Sequence, residues 1–250
     1  MGALRVLSLG AGVQSSTLAL MIAAGELPMI ECAIFADTQS EPRKVYAWLD
    51  WLEQQLPFPV HRVTAGNLQA DILADLKPEV RYLLPTYTNG GGLGKRQCTR
   101  HYKLRPIRRK VRELAKGRMV EQLIGISLDE ALRMKPSGVA YIRNAYPLVE
   151  ARLTRGHCIE WLWNKFQRRA PKSACKFCPF HDEDAWQQLD ADEQEESFQL
   201  DEFVRDRGAD PGVQQFLHPA RIPLRKVDLR TPTQRGQRDF INECEGMCGV

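Results

Sequence analysis

Two periods of apolar residues alternate along the first half of the chain. Leu4–Leu9 is a short apolar run, and after a glycine turn apolar residues return at Leu18-Ala19-Leu20-Met21-Ile22. This predicts a buried strand followed by a helix over 15–24. A second run over 30–36, with Cys32 inside it, reads as strand two. Residues 42–55 carry Val45, Trp48, Leu49 and Leu52 at helical spacing, and 59–63 is a third strand. A βαβαβ order implies a parallel, doubly wound α/β sheet with right-handed crossovers and helices on both faces. Ligands in such sheets lie beyond the carboxyl ends of the strands. The segments 10–16 and Asp37-Thr38-Gln39-Ser40-Glu41 both fall at such ends.

The pattern is weaker further on. Residues 81–95, rich in glycine and without periodicity, read as a mobile loop or lid. Arg105–Ala115 is a predicted helix and 120–127 a fourth strand that ends at Gly125-Ile126-Ser127. Thr154 suits the N-cap of a helix over Arg155–Phe166. A charged helical region covers 182–205, broken near 190–192. After Gly208 the chain reads as irregular, with little chance of forming a second core. The predicted organisation is a nucleotide-binding region over 1–150 and a helical, cysteine-bearing region with a tail over 151–250.

The stretch Ser8-Leu9-Gly10-Ala11-Gly12-Val13-Gln14-Ser15-Ser16-Thr17 joins the first strand to the first helix. Such a junction aims unpaired backbone N–H groups and the positive end of a helix dipole at one point. Glycines admit a ligand to the backbone, and the hydroxyls add donors. An ordinary strand-to-helix turn has the same appearance. No Lys-Ser or Lys-Thr follows Gly12, which excludes a Walker loop. Ser15 stands where a dinucleotide fingerprint needs its third glycine.

Length and composition fit a globular chain with a substantial core. No run of about 18 apolar residues occurs, so no membrane span is expected. The N-terminus lacks a signal-peptide layout, which points to the cytoplasm. There, seven cysteines are expected to be thiols or metal ligands rather than disulfides. The net charge of +4 says little, but its distribution is uneven. Arg105, Arg108, Arg109 and Arg112 share one helix face, which reads as a solvated face or as a surface that meets phosphates.

Cys175-Lys176-Phe177-Cys178-Pro179 is a C-x2-C-P turn of the kind used by zinc and iron–sulfur sites. One pair is half a site. Cys98 and Cys158 bring the number of thiolates to four, enough for a 4Fe–4S cluster or a structural zinc. Cys158 also reads as an ordinary buried thiol, and Cys32 as core.

Several blocks resemble known families. Gly10–Ser16 is similar to the PP-loop, Ser-Gly-Gly-x-Asp-Ser, of the ATP pyrophosphatases, with Gln14 where that motif has its Asp. Cys98-Thr99-Arg100-His101-Tyr102-Lys103-Leu104-Arg105-Pro106 resembles the Cys-Cys-x-x-x-Lys-x-x-Pro segment of iron–sulfur adenylylsulfate reductases. Gly125-Ile126-Ser127-Leu128-Asp129-Glu130-Ala131-Leu132-Arg133 resembles that family's Gly-Ile-Arg-x-x-Glu-Ser-x-x-Arg. Tyr146-Pro147-Leu148 with Thr154 and Trp161 resembles its Pro-Leu-x-x-Trp-Thr stretch. With Asp37-Thr38 and 172–179, these blocks keep the family's order over about residues 4 to 181. The chain thus resembles the phosphoadenosine-phosphosulfate reductase-like branch of the adenine nucleotide α-hydrolases, in its stand-alone phage and DNA-modification form. A five-stranded, mostly parallel sheet is implied. Thr99, Ser127 and Ala131 depart from the pattern: the first points to Cys158 as the fourth cluster ligand, and the others weaken sulfonucleotide recognition.

The resemblance implies a PP-loop ATP pyrophosphatase that adenylates a substrate, DNA or RNA, for sulfur insertion, releasing pyrophosphate and AMP. Ser8, Gly10, Ala11, Gly12, Gln14, Ser15, Ser16 and Gly125 would hold phosphates. Asp37 with Thr38 would hold Mg2+ or ribose, and Lys103 and Arg133 would neutralise charge. Sulfur would come from a donor such as a cysteine desulfurase, and a homodimer is one allowed assembly. The alternative is a sulfonucleotide reductase with Cys248 of Met247-Cys248-Gly249 as nucleophile. Cys244 and Cys248 form a C-x3-C pair that suits dithiol or persulfide exchange.

Overall fold

The computed structural model describes residues 2–74, 83–207, 212–231 and 234–235. Five parallel strands form the central sheet: β1 (Leu4–Leu9), β2 (Cys32–Asp37), β3 (Val60–Thr64), β5 (Val120–Ile124) and β6 (Ile142–Ala145), in the order β3-β2-β1-β5-β6. The chain first winds outward from β1 to β3 and then returns to add β5 and β6 on the other side. The switch point therefore lies at the carboxyl end of β1, where the strand order opens a crevice.

Side chains alternate across the sheet because successive residues of a strand point to opposite faces. Leu7, Leu9, Ala33 and Phe35 face α1 (Val13–Ala23) and α2 (Arg43–Glu53), joined by Cys158 and Leu162 of α6 (Arg155–Phe166). Leu4, Val6, Cys32 and Ile34 face Ile107, Val111 and Ala115 of α4 (Arg105–Ala115). The helix α6, assigned from sequence to the second region, thus packs into the first core. Its start is fixed by a capping box between Thr154 and His157.

A second core lies beside the sheet. It joins Leu68 and Ile72 of α3 (Leu68–Ala74) and Leu83, Leu84 and Tyr102 to Phe177, Trp186, Leu200, Leu217 and Leu224. Trp186 belongs to α7 (Glu183–Gln187) and Leu200 to α8 (Ala191–Arg205). The expected break at 190–192 is the N-cap of α8, where Asp190 and Glu193 form a capping box. Two expectations are corrected here. Among residues 83–95, Tyr87–Thr88 forms β4, which pairs antiparallel with β7 (Gln215–Phe216), so this stretch is tied down rather than a free lid. The described residues after 211 bury Phe216, Leu217 and Leu224. Hydrophobic payoff outweighs the irregular local pattern there. Among the described residues no helix is long and apolar enough to cross a membrane.

Candidate active site

The turn after β1 folds into a tight backbone nest. Ala11 adopts a left-handed φ of 57°, which folds the loop back so that Gly12 serves as the N-cap of α1. Ser15 Oγ accepts from Gly10 N–H at 3.1 Å, and Ser16 N–H donates to Gly12 O at 3.0 Å. Gly125, at the end of β5, lies against this turn: a Cβ there would sit 2.7 Å from Ser15 N and Cα. Only glycine allows β5 to approach the helix N-terminus so closely.

A cavity of about 250 Å³ opens above this nest. Of the residues expected to bind nucleotide, Ser8, Gly10, Gly12, Gln14, Ser15 and Gly125 contribute to its wall. Five cationic side chains also line it: Arg96, Lys103, Arg133, Arg155 and Lys172. Lys103 and Arg133 were legible in the sequence; Arg96, Arg155 and Lys172 were not. Among the described residues, Glu130 is the one carboxylate in the wall. It accepts from Gln14 Nε2 at 3.1 Å and pairs with Arg133 Nη1 at 2.6 Å, while Arg155 Nη1 reaches Gln14 Oε1 at 3.4 Å. Burial raises the Glu130 pKa, and Arg133 opposes that shift.

Three predicted binding residues are used elsewhere. Ser16 is fully buried and its Oγ accepts from Trp48 Nε1 at 2.9 Å. Ala11 is enclosed in the core. Asp37 Oδ1 accepts from Tyr46 Oη and from Gln39 N–H, each at 2.7 Å, and lies outside the cavity wall. A tyrosine hydroxyl and a backbone donor hold it in the turn.

Cys98, Cys175 and Cys178 all line the same cavity. Cys175 Sγ lies 3.3 Å from Thr38 Oγ1 and 3.8 Å from Oε1 of the buried Glu41. Lys103 Nζ reaches that same Oε1 at 3.2 Å, and Glu41 Oε2 has no hydrogen-bond partner. Burial, with Glu41 second, pushes the Cys175 thiol well above its ordinary pKa. Glu41 was not singled out from sequence, where it is one polar residue in a loop of several.

The expected four-thiolate set is not assembled by the described residues. Cys158 sits with Leu18 and Leu162 in the first core, its carbonyl accepting from Thr17 Oγ1 at 3.3 Å, and burial raises its thiol to about 11. It is not part of the cavity wall that Cys98, Cys175 and Cys178 line. Among the described residues no group of three or more His, Cys, Asp or Glu side chains is placed to hold a metal ion. The three cavity thiols are one short of the four protein ligands that an iron–sulfur cluster or a structural zinc takes. These residues therefore do not fit either group. Cys244 and Cys248 lie outside the described residues.

The roof of the nest comes from far along the chain. Ser173 Oγ donates to Gly10 O, and the segment is held by Lys172 Nζ to Asp182 at 2.8 Å and by Lys176 N–H to Ser40 O at 2.9 Å.

Comparison with solved structures finds a distant likeness in fold. The crystal structure of phosphoadenylyl-sulfate (PAPS) reductase from Candida auris, in its phosphate complex, superposes with a TM-score of 0.47 at 13% identity. The match covers 64% of this chain and 72% of that one. No family model matches the sequence, and no curated protein matches it.

Proposed function

We propose that this cavity binds an adenine nucleotide by its phosphate and sulfate groups, and that the enzyme cleaves a sulfonucleotide with thiols of the cavity wall. One observation carries the reading: the glycine nest, a ring of cationic side chains and the thiols of Cys98, Cys175 and Cys178 share a single enclosure. The nest supplies backbone donors to the nucleotide phosphate. Lys103 and Arg133 offset charge on the departing group, an electrostatic task that a preorganised site performs without reorganisation.

In this reaction one cavity thiolate attacks the sulfur of the sulfonucleotide. An S–S bond forms, the S–O bond to the nucleotide phosphate breaks, and its electron pair leaves with the phosphate oxygen. A second thiolate then attacks the sulfocysteine sulfur, forming a disulfide and releasing sulfite. Two thiols lose two electrons and the sulfo group gains them. Glu41, beside Cys175, is placed to take a thiol proton. The test is an anaerobic single turnover without ATP, using adenylyl sulfate and phosphoadenylyl sulfate. One sulfite released and two thiols lost per chain are expected; no sulfite from either substrate overturns the reading.

A second reading has its own support. Glu130 beside Gln14 returns a carboxylate to the place where the PP-loop motif has its Asp. Mg2+ is commonly held by one or two carboxylates together with substrate phosphates. ATP-dependent adenylation of an acceptor would then proceed with release of pyrophosphate, sulfur arriving from a separate donor. Pyrophosphate formed from ATP and Mg2+, with no sulfite from either sulfonucleotide, selects this reading.

A further inference from the structure

The five cations of the cavity wall are not alike. Lys103 pairs with Glu41 at 3.2 Å, Arg133 with Glu130 at 2.6 Å and Lys172 with Asp182 at 2.8 Å. Arg155 Nη1 donates to Gln14 Oε1 at 3.4 Å. Among the described residues no carboxylate pairs with Arg96. Its guanidinium instead lies over the ring of Phe180, 4.9 Å from the centroid, with Nη2 donating to Thr99 Oγ1 at 3.5 Å.

Arg96 precedes Cys98 by two residues, Phe180 follows Cys178 by two, and all four line the cavity. Backbone bonds fix the strap that carries Arg96. Gly94 N–H donates to Thr86 O and Cys98 N–H to Leu83 O, each at 2.8 Å. At Gly94 the strap lies so close that a Cβ would meet Leu84 O at 3.1 Å. The segment that carries Phe180 is fastened to the nest, because Ser173 Oγ donates to Gly10 O. An anion in the nest therefore shares its enclosure with the thiols and with Arg96. A guanidinium over an aromatic ring keeps its in-plane N–H groups free for an oxyanion, while the ring excludes water from one side.

We propose that Arg96, placed by the Phe180 ring, binds the oxyanion that extends beyond the α-phosphate of a nucleotide seated in the nest. In the sulfonucleotide reading, on which the identity of the group rests, that oxyanion is the sulfo group. A nucleoside monophosphate ends at the nest, so Arg96 distinguishes it from a nucleotide that carries one more anionic group. The sulfo group bears one negative charge when joined to a cysteine and two when it leaves as sulfite. Arg96 therefore holds the departing group more strongly than the attached one, which favours the second step of the reaction.

The test uses the full chain and two readouts. Binding is measured by calorimetry without metal, comparing AMP with ADP, whose terminal phosphate is an oxyanion that thiols do not cleave. Wild type should bind ADP more tightly than AMP. Arg96→Ala should weaken ADP about tenfold or more, the effect of one charge-assisted hydrogen bond. Its AMP affinity should stay within about twofold of wild type, which reports an intact nest. Phe180→Leu should weaken ADP in the same selective way, and the double Arg96→Ala/Phe180→Leu should lose no more than Arg96→Ala alone. The second readout is sulfite release in anaerobic single turnover. The adenylyl sulfate concentration giving half the maximal rate should rise about tenfold in Arg96→Ala. ADP bound no more tightly than AMP by wild type overturns the inference. So does an equal loss of AMP and ADP in Arg96→Ala, or an additive loss in the double. Sulfite release by Arg96→Ala at an unchanged half-saturating concentration overturns it while leaving the sulfonucleotide reading in place. No sulfite from wild type, with ADP affinity still lost in Arg96→Ala, removes that reading and upholds Arg96 as the residue that binds the outer oxyanion.

Discussion

Gln14 Nε2 and Glu130 Oε2 meet at 3.1 Å at the mouth of the glycine loop. The pair joins the first turn of α1 to a 3-10 turn over Leu128–Arg133, so the only acid that the described residues put in the cavity wall lies beside the glycine loop. Its charge opposes an incoming anion, while Arg133 partly masks it. Burial raises the Glu130 pKa, so this repulsion fades as pH falls through a range above the ordinary carboxylate value. Without metal, AMP affinity should rise on acidification, and Glu130→Gln should bind AMP more tightly with that pH dependence removed. Calorimetric titration across pH 4–7 checks both. If Mg2+ is held here, the same variant should lose Mg2+-dependent ATP binding.

Gly125→Ala should damage the nest without reaching the ligand itself. A methyl group 2.7 Å from Ser15 N and Cα meets backbone rather than a flexible side-chain end. The strand end or the helix must shift, at a cost of roughly 1–3 kcal/mol. A lower thermal midpoint with AMP affinity reduced at least tenfold is expected. Unchanged affinity in the folded variant would show that the nest tolerates a displaced Ser15.

The cysteines should separate into two behaviours. Of the cavity thiols, Cys98 and Cys178 should react with a small disulfide reagent, Cys175 should lag because burial raises its thiol, and AMP should slow the reaction. Cys158→Ser should not alter the AMP-protected count. It should instead cost roughly 1–3 kcal/mol in denaturant unfolding, because a hydroxyl replaces a thiol in an apolar enclosure. A lost cavity thiol signal in Cys158→Ser would mean that the two regions are coupled.

His181 should make the C-terminal region acid-sensitive. Its Nε2 lies 2.8 Å from Cys175 O, and its Nδ1 is buried without a partner. Burial lowers its pKa from 6.5 to about 4. The unfolded chain takes up the proton first, so the neutral ring's full contribution is present above pH 6.5. It is lost progressively as pH falls toward 4. The change is on the order of 3 kcal/mol. His181→Gln, which keeps a donor toward Cys175 O without titrating, should flatten this part of the unfolding curve. Equal pH dependence in both proteins would assign the acid sensitivity elsewhere.

The alternating order of the first three strands was legible because strand and helix satisfy local rules together: Leu4, Val6, Leu7 and Leu9 make β1 mostly apolar, and α2 repeats Val45, Trp48, Leu49 and Leu52 on one face. The nest was legible for the same reason, since Gly10, Gly12 and Ser15 sit together in sequence. β6 was not, because Ile142–Ala145 is a four-residue edge strand with an arginine and an asparagine in it. The pairing of Tyr87–Thr88 with Gln215–Phe216 joins residues more than a hundred positions apart, and no local pattern encodes it. Ser16 and Asp37 show the opposite failure. Their positions in the chain suit a ligand, but Trp48 and Tyr46 arrive from α2 and take their oxygens. Glu41 and Arg155 become site residues only through what folds over them.

The hydroxyl of Ser173 reaches the carbonyl of Gly10 across 163 positions of chain. The pocket is therefore closed by a clasp between an early and a late segment, and neither segment alone constitutes a receptor. A ligand that binds only the clasped state stabilises it by mass action, by about 2.7 kcal/mol at a hundred times its dissociation constant. Occupancy thus becomes a property of the whole chain. Nucleotide should protect α8 and the sheet from proteolysis in equal measure, and a chain cut between the sheet and residue 173 should lose its nucleotide affinity as the two pieces part.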